Sequence, residues 1–165
     1  MFFSRSRSRA FSKEMIENAG LTEDVDEFLR NETVRSLIAS AYQKLKVKVE
    51  MLIKRLPDDK QESAIDLAGL EALFTKEVKF AFENSLAMSL RCSYSRNEVD
   101  DENLKLRRAE LKTLDTECLR RLERSMWDVD ADLVSNCELI VEMNSHRSGY
   151  YDDDYDDSNE VEVYD

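Results

Sequence analysis

The chain of 165 residues has few residues that favour turns, with three glycines and one proline. All-β folds need many turns and α/β enzymes commonly use glycine loops, so this scarcity favours helices joined by short connections. No apolar run approaches the ~18–20 residues that a membrane span needs. The composition therefore predicts an all-α fold, a small antiparallel helical bundle, and no membrane partner.

Histidine occurs once and cysteine three times. An odd number of cysteines without close spacing indicates free thiols in a reducing compartment, which favours a cytoplasmic location. Structural zinc sites prefer closely spaced cysteine pairs, and Cys92, Cys118 and Cys137 form none. The sequence also contains no glycine loop for phosphate and no nucleophile–base pair marked by spacing. We therefore expect no enzyme activity, no metal site and no cofactor.

Three acids, Asp128, Asp130 and Asp132, have the spacing of the first ligands of a calcium loop. The sixth position of such a loop is a glycine and the twelfth a bidentate glutamate, but here they are Leu133 and Leu139. We interpret the three acids as caps of a following helix.

The strongest helical pattern runs from Asn31 to Leu56, where apolar residues recur at steps of three and four. Asn31 is a suitable N-cap, and Pro57 ends the helix because it has no N–H to donate. Residues 44–49 alternate with period two, which is a strand signal. We predict a helix there because the flanks keep helical periodicity, and a strand is the alternative.

The remaining pattern predicts further helices at 13–19, 23–30, 60–94, 101–126 and 130–144. The helix at 60–94 is apolar around most of its circumference, which is typical of a central helix or of an oligomer interface. We therefore expect a homo-oligomer. The predicted self-association face consists of Phe74, Val78, Phe82 and Leu86.

The net charge of −12 is unevenly distributed between the ends of the chain. We divide the sequence into a flexible Arg/Ser-rich arm at 1–12, a helical domain at 13–147 and a disordered acidic tail at 148–165. Arg5, Arg7 and Arg9 of the arm alternate with serines and are candidates for binding phosphates of nucleic acid. Basic residues also cluster at Lys44, Lys46 and Lys48, which we interpret as part of a solvated helix face.

The tail has eight acids and no base between residues 150 and 165. Like charges at this density repel one another and stay hydrated, so the tail is suited to a basic protein surface. The candidate partner-binding residues are Asp152, Asp153, Asp154, Tyr155, Asp156, Asp157, Glu160 and Glu162.

These features favour a non-catalytic interaction or assembly protein whose acidic tail engages a basic protein partner. One alternative is a nucleic-acid-associated protein that binds through the arm, with the tail as an internal competitor. Another is an acidic inhibitor that mimics nucleic acid and binds a host enzyme.

Overall fold

The computed structural model describes residues 2–91 and 99–150, without the side chains of residues 2–8, 62–63 and 146–150. The helices are α1 Phe2–Asn18, α2 Thr22–Arg30, α3 Glu32–Ile53, α4 Gln61–Ala64, α5 Leu67–Leu90, α6 Asp101–Thr113 and α7 Thr116–Tyr150, with a 3₁₀ turn at Asp58–Lys60. Within these ranges the only β pairing is an isolated bridge between Arg91 and Val99. The predicted all-α helical bundle is confirmed, and no helix of the described part is long and apolar enough to cross a membrane.

Helix α3 begins at the predicted cap. The side-chain oxygen of Asn31 accepts hydrogen bonds from the backbone N–H of Thr33 (2.8 Å) and of Val34 (3.4 Å). Residues 44–49 are helical, so the prediction of a helix over the alternating stretch is confirmed. Leu45 and Val49 are buried whereas Val47 between them is 55% exposed, which fits a helix, because a strand would place all three side chains on one face.

Two compact units divide the chain. The first comprises residues 1–41 and 72–130, and the second comprises residues 42–71 and 131–165. The long helices α3, α5 and α7 each contribute one part to each unit.

The first unit is centred on an aromatic pair. The rings of Phe28 on α2 and Phe82 on α5 stack with centroids 4.9 Å apart and planes 11° apart. The turn between α1 and α2 is held by Arg108 of α6, whose guanidinium donates to the carbonyl oxygens of Ala19 and Gly20. Gly20 has a φ of 72°, the left-handed conformation that glycine adopts at a helix end without steric cost.

The second unit contains the C-terminal parts of α3 and α7 together with α4 and the start of α5. The predicted helix at 60–94 begins here and is interrupted in the structure. Ile65 is extended, and Asp66 caps α5 by accepting from the N–H of Gly69 at 3.0 Å. A Cβ on Gly69 would lie 2.5 Å from the carboxylate of Asp66, so this glycine leaves room for the cap.

Helix α7 combines the second half of the predicted helix at 101–126 with the whole of the predicted helix at 130–144, and α6 corresponds to the first half. A left-handed turn at Leu114 ends α6, and Asp115 caps α7 by accepting from the N–H of Glu117. From Thr116 the helix continues without a break to Tyr150, so the predicted boundary at 126–130 is wrong. The reason is visible along one face, where buried side chains recur through both halves: Cys118, Leu122, Met126, Val129, Leu133, Cys137 and Val141.

Candidate functional site

The predicted tail site lies outside the described residues. All eight candidate side chains fall within residues 151–165. The structure shows where the chain stands just before the tail, because the backbone of α7 is helical up to Tyr150. The acidic segment therefore follows a helix of 35 residues directly, six residues later than the helix end that the sequence predicted.

The N-terminal residues predicted to form an arm belong to α1, which extends through Phe2–Asn18. Arg9 forms an ion pair with Glu77 of α5, and its guanidinium lies 4.4 Å from the ring centroid of Phe80. The side chains of Arg5 and Arg7 lie outside the described residues. Arg9 therefore has a structural role in docking α1, which sequence reasoning missed because its partners lie 68 and more residues away.

The four residues of the predicted self-association face lie in the interior of the first unit. Phe74, Val78 and Phe82 have no exposed surface, and Leu86 is 2% exposed. Their apolar arc is covered by helices of the same chain, which removes them as an exposed interface. Homo-oligomer formation stays a prediction without an assigned face.

Two of the cysteines are buried free thiols, Cys118 in the first unit and Cys137 in the second. Burial, with a contribution from nearby Glu110, raises the pKa of the Cys118 thiol to about 12. Burial also raises the pKa of the Cys137 thiol. A protonated thiol is a poor nucleophile and a poor metal ligand, so neither side chain is suited to thiolate chemistry. Cys92 lies outside the described residues.

Acidic side chains are numerous, but the described residues contain no group of three or more potential ligands that could hold a metal ion. Asp128, Asp130 and Asp132 lie within continuous α7 and not at a helix start. A helix cannot wrap successive carboxylates around one cation, since alternate positions point to different sides of it.

A face of α3 in the second unit combines basic and exposed apolar side chains. We call it the α3 basic face, and it consists of Lys44, Val47, Lys48 and Met51 of α3 together with Lys54 and Arg55 of the turn that follows Ile53. These positions repeat at three and four residues, on the side of the helix opposite buried Leu45, Val49 and Leu52. Val47 is 55% exposed and Met51 is 64% exposed. Residues 42–56 contain five bases and one acid, Glu50, in a chain with a net charge of −12.

A groove of about 620 Å³ borders one end of the α3 basic face. Arg55 lines it from the end of α3, and α7 lines it with residues from Ser135 to Ser145. Glu138 and Glu142 lie among the lining residues beside Leu139. These acids make the groove unsuited to an anion.

The single tryptophan is exposed on the part of α7 that belongs to the first unit. Trp127 is 64% exposed and lies beside the exposed side chains of Arg124 and Asp128 on the same helix. Tryptophan and arginine are enriched among the residues that contribute most to binding energy at protein interfaces. Sequence reasoning missed Trp127, although its position beside buried Met126 and off the apolar stripe of α7 would have revealed it.

A buried charged cluster in the first unit has a structural explanation. Arg107 and Glu110 of α6 pair at 3.5 Å, with 11% and 6% of their side chains exposed. Arg121 of α7 donates to the hydroxyl of Ser89 at 3.3 Å. Burial and the nearby charge of Arg107 lower the pKa of Arg121, which still remains a cation at neutral pH. The hydrogen bond of Arg121 to Ser89 joins α7 to α5, and the pair of Arg107 with Glu110 lies within α6.

The chain was compared with protein families, with curated proteins and with solved structures, and none of the three comparisons finds a match. The functional argument therefore rests on the residues of this chain.

Proposed function

We propose that the protein is a non-catalytic interaction or assembly protein of the cytoplasm whose acidic tail engages a basic protein partner. The observation that best supports the proposal is that the acidic tail follows α7 directly. Helix α7 extends to Tyr150, and eight acids without a base follow within residues 151–165. A rigid helix that leads directly into a dense negative charge presents that charge to a partner and steers its approach.

Other features of the described residues support a binding role. Trp127 is exposed on α7, and the two thiols that could serve a nucleophilic mechanism are buried with raised pKa values. The nucleic-acid alternative gains less support, because Arg9 is engaged by Glu77 and Phe80.

Affinity capture from source lysate tests the proposal. The bait proteins are the wild-type chain and a tail variant in which Asp152, Asp153, Asp154, Asp156 and Asp157 are changed to Asn. A control variant neutralises five exposed acids of the helices by the changes Glu14→Gln, Glu27→Gln, Glu123→Gln, Asp128→Asn and Glu138→Gln, and thus has the same net charge.

We expect a protein partner that survives nuclease treatment, that is captured by the wild-type and control chains and that is lost with the tail variant. Capture of the same proteins by all three chains would contradict the proposal. Recovery of nucleic acid that is sensitive to nuclease and increases with the tail variant would favour binding through the N-terminal arginines instead.

A further inference from the structure

We propose that the acidic tail, residues 151–165, docks in cis on the α3 basic face of the same chain. This inference goes beyond the proposed function, because it requires no external partner. It assigns an occupant to a surface whose composition differs from the rest of this acidic protein.

The charges of the two segments are complementary. The α3 basic face presents Lys44, Lys54 and Arg55 in a chain whose net charge is −12, and its other base, Lys48, already has an interaction within the chain. The tail has eight acids and no base. Opposite charges arranged in two rows attract over about 10 Å at moderate salt, and the attraction weakens as salt is added.

The apolar and aromatic residues are complementary as well. Val47 and Met51 lie at the centre of the α3 basic face and are more than half exposed. The tail interleaves its acids with Tyr151, Tyr155 and Val161. An aromatic ring over Met51 would bury apolar surface on both sides and place the sulfur in favourable contact with the ring.

The tail is long enough to reach the α3 basic face from the end of α7. Ser145 of α7 and Arg55 line the same groove, and both belong to the second unit. Helix α7 ends five residues later at Tyr150, which adds about 7.5 Å of helix. The α3 basic face is about 16 Å long from Lys44 to Arg55. Fifteen extended residues span about 50 Å, which exceeds these lengths together.

The groove beside Arg55 is a less suitable site for the tail. Its lining includes Glu138 and Glu142, and these would repel the tail's acids. The tail is therefore placed along α3 itself, with Arg55 at the border of the contact.

Tethering makes even a weak contact effective. A short flexible connection gives an effective concentration of about 1 mM. With an intrinsic dissociation constant of about 100 μM, the docked state would then be about ten times as populated as the undocked state. Exposed ion pairs contribute about 0.5 kcal/mol each, so the loss of three weakens the contact about tenfold. The docked fraction would fall from about nine-tenths to about one-half.

Nuclear magnetic resonance on the full-length chain tests this proposal. The backbone amide shifts of the wild type are compared with those of the tail variant, in which Asp152, Asp153, Asp154, Asp156 and Asp157 are changed to Asn. We expect differences concentrated at the α3 basic face, and we expect them to vanish at about 0.5 M salt.

The reciprocal variant is Lys44→Gln, Lys54→Gln and Arg55→Gln in the full-length chain. It should move the tail amides about halfway to their undocked shifts. The matched control removes three exposed bases of the first unit, by the changes Lys105→Gln, Lys112→Gln and Arg124→Gln, and should leave the tail amides unchanged. The changes of the tail variant lie after Tyr150, the last residue of α7, so this variant tests the contact even where the α3 variant proves unstable.

Three outcomes would overturn the proposal. One is the absence of tail-dependent shifts at α3, or equal effects of the α3 variant and its control. Another is a shift pattern that grows with protein concentration alongside a dimer in sedimentation, which would assign the α3 basic face to the tail of a second copy. The third combines two results: the α3 amide shifts of the wild type and the tail variant are the same, and the tail variant binds vesicles that contain phosphatidylserine. That outcome would make the α3 basic face a membrane contact. Failure of partner capture would leave this test unaffected, since it uses the purified chain alone.

Discussion

The guanidinium of Arg108 on α6 lies 3.3 Å from the carbonyl oxygen of Gly20, to which it donates a hydrogen bond across 88 residues of sequence. The same guanidinium forms an ion pair with Asp24 of α2 at 3.5 Å. One side chain therefore satisfies the C-terminal carbonyls of α1 and the charge at the start of α2. This contact braces the corner between α1 and α2, and α2 has nine residues, too few for much stability of its own.

Replacing Arg108 should loosen the α1–α2 corner. Because the side chain is 39% exposed and its hydrogen bonds are long, we expect Arg108→Ala to lower the free energy of unfolding by about 1–2 kcal/mol in urea. Arg108→Lys, which keeps the charge but loses the planar fork, should show an intermediate loss. An alanine variant as stable as the wild type would show that the corner is held by apolar packing alone.

Replacing the buried ring of Phe82 tests how much the core of the first unit contributes to stability. Phe82→Ala removes a fully buried ring that stacks on Phe28, and we expect a loss of about 3–5 kcal/mol in chemical unfolding. Met88, on the same helix but 60% exposed, provides the control, and Met88→Ala should change stability by less than about 0.5 kcal/mol. If Phe82→Ala kept monomer stability and changed only the oligomeric state, the ring would belong to an interface between chains.

Glu83 on α5 should make stability depend on pH. Burial raises the pKa of its carboxyl, Asp26 and Glu17 raise it further, and Lys79 and Lys13 oppose the shift. The folded chain therefore holds this proton more tightly than the unfolded chain does. The contribution of the protonated Glu83 carboxyl to stability is therefore fully present below the ordinary carboxyl pKa. It is lost as the pH rises through the pKa of the folded chain.

Glu83→Gln mimics the protonated form at every pH. We expect the variant to raise Tm at pH 7 and to change it less at pH 4. The control is Glu14→Gln, at an exposed position of α1, which should alter Tm little at either pH. A larger stabilisation at pH 4 than at pH 7 would reverse the sign and refute the interpretation.

Cys118 and Cys137 should resist alkylation in the folded protein. With a pKa of about 12, the Cys118 thiol is ionised to about one part in ten thousand at pH 8. Peptide mapping after brief iodoacetamide treatment should find both residues unmodified in buffer and modified in guanidinium. Modification of the folded chain within a factor of ten of the unfolded rate would indicate an accessible thiolate.

The sequence predicted most of the helices and failed at some of their ends. Asn31 caps α3 as expected, because capping is a local property of side chain and backbone. The acids at 128–132 suggested a new helix start, yet the buried stripe from Met126 through Val129 to Leu133 continues α7. Local acid signals were outweighed by burial along one face.

Long-range contacts account for the other differences. Within the arm predicted at 1–12, Arg9 docks on α5 and Ser12 is buried within α1, and the sequence of that segment indicated neither contact. The α3 basic face was only partly visible in sequence, since Lys44 and Lys48 were noted as a cluster while Lys54 and Arg55 were not joined to it. Only the exposure of Val47 and Met51 unites them as one surface.

The most direct test of the proposed function is the dissociation constant of the purified partner, measured by calorimetry for the wild type and for the tail variant. The five neutralised acids of that variant should weaken binding at least tenfold at 0.1 M salt, while helicity by circular dichroism stays unchanged. The control variant with five neutralised helix acids should bind like the wild type. A tail variant that binds within twofold of the wild type would contradict the claim that the acidic tail engages the partner.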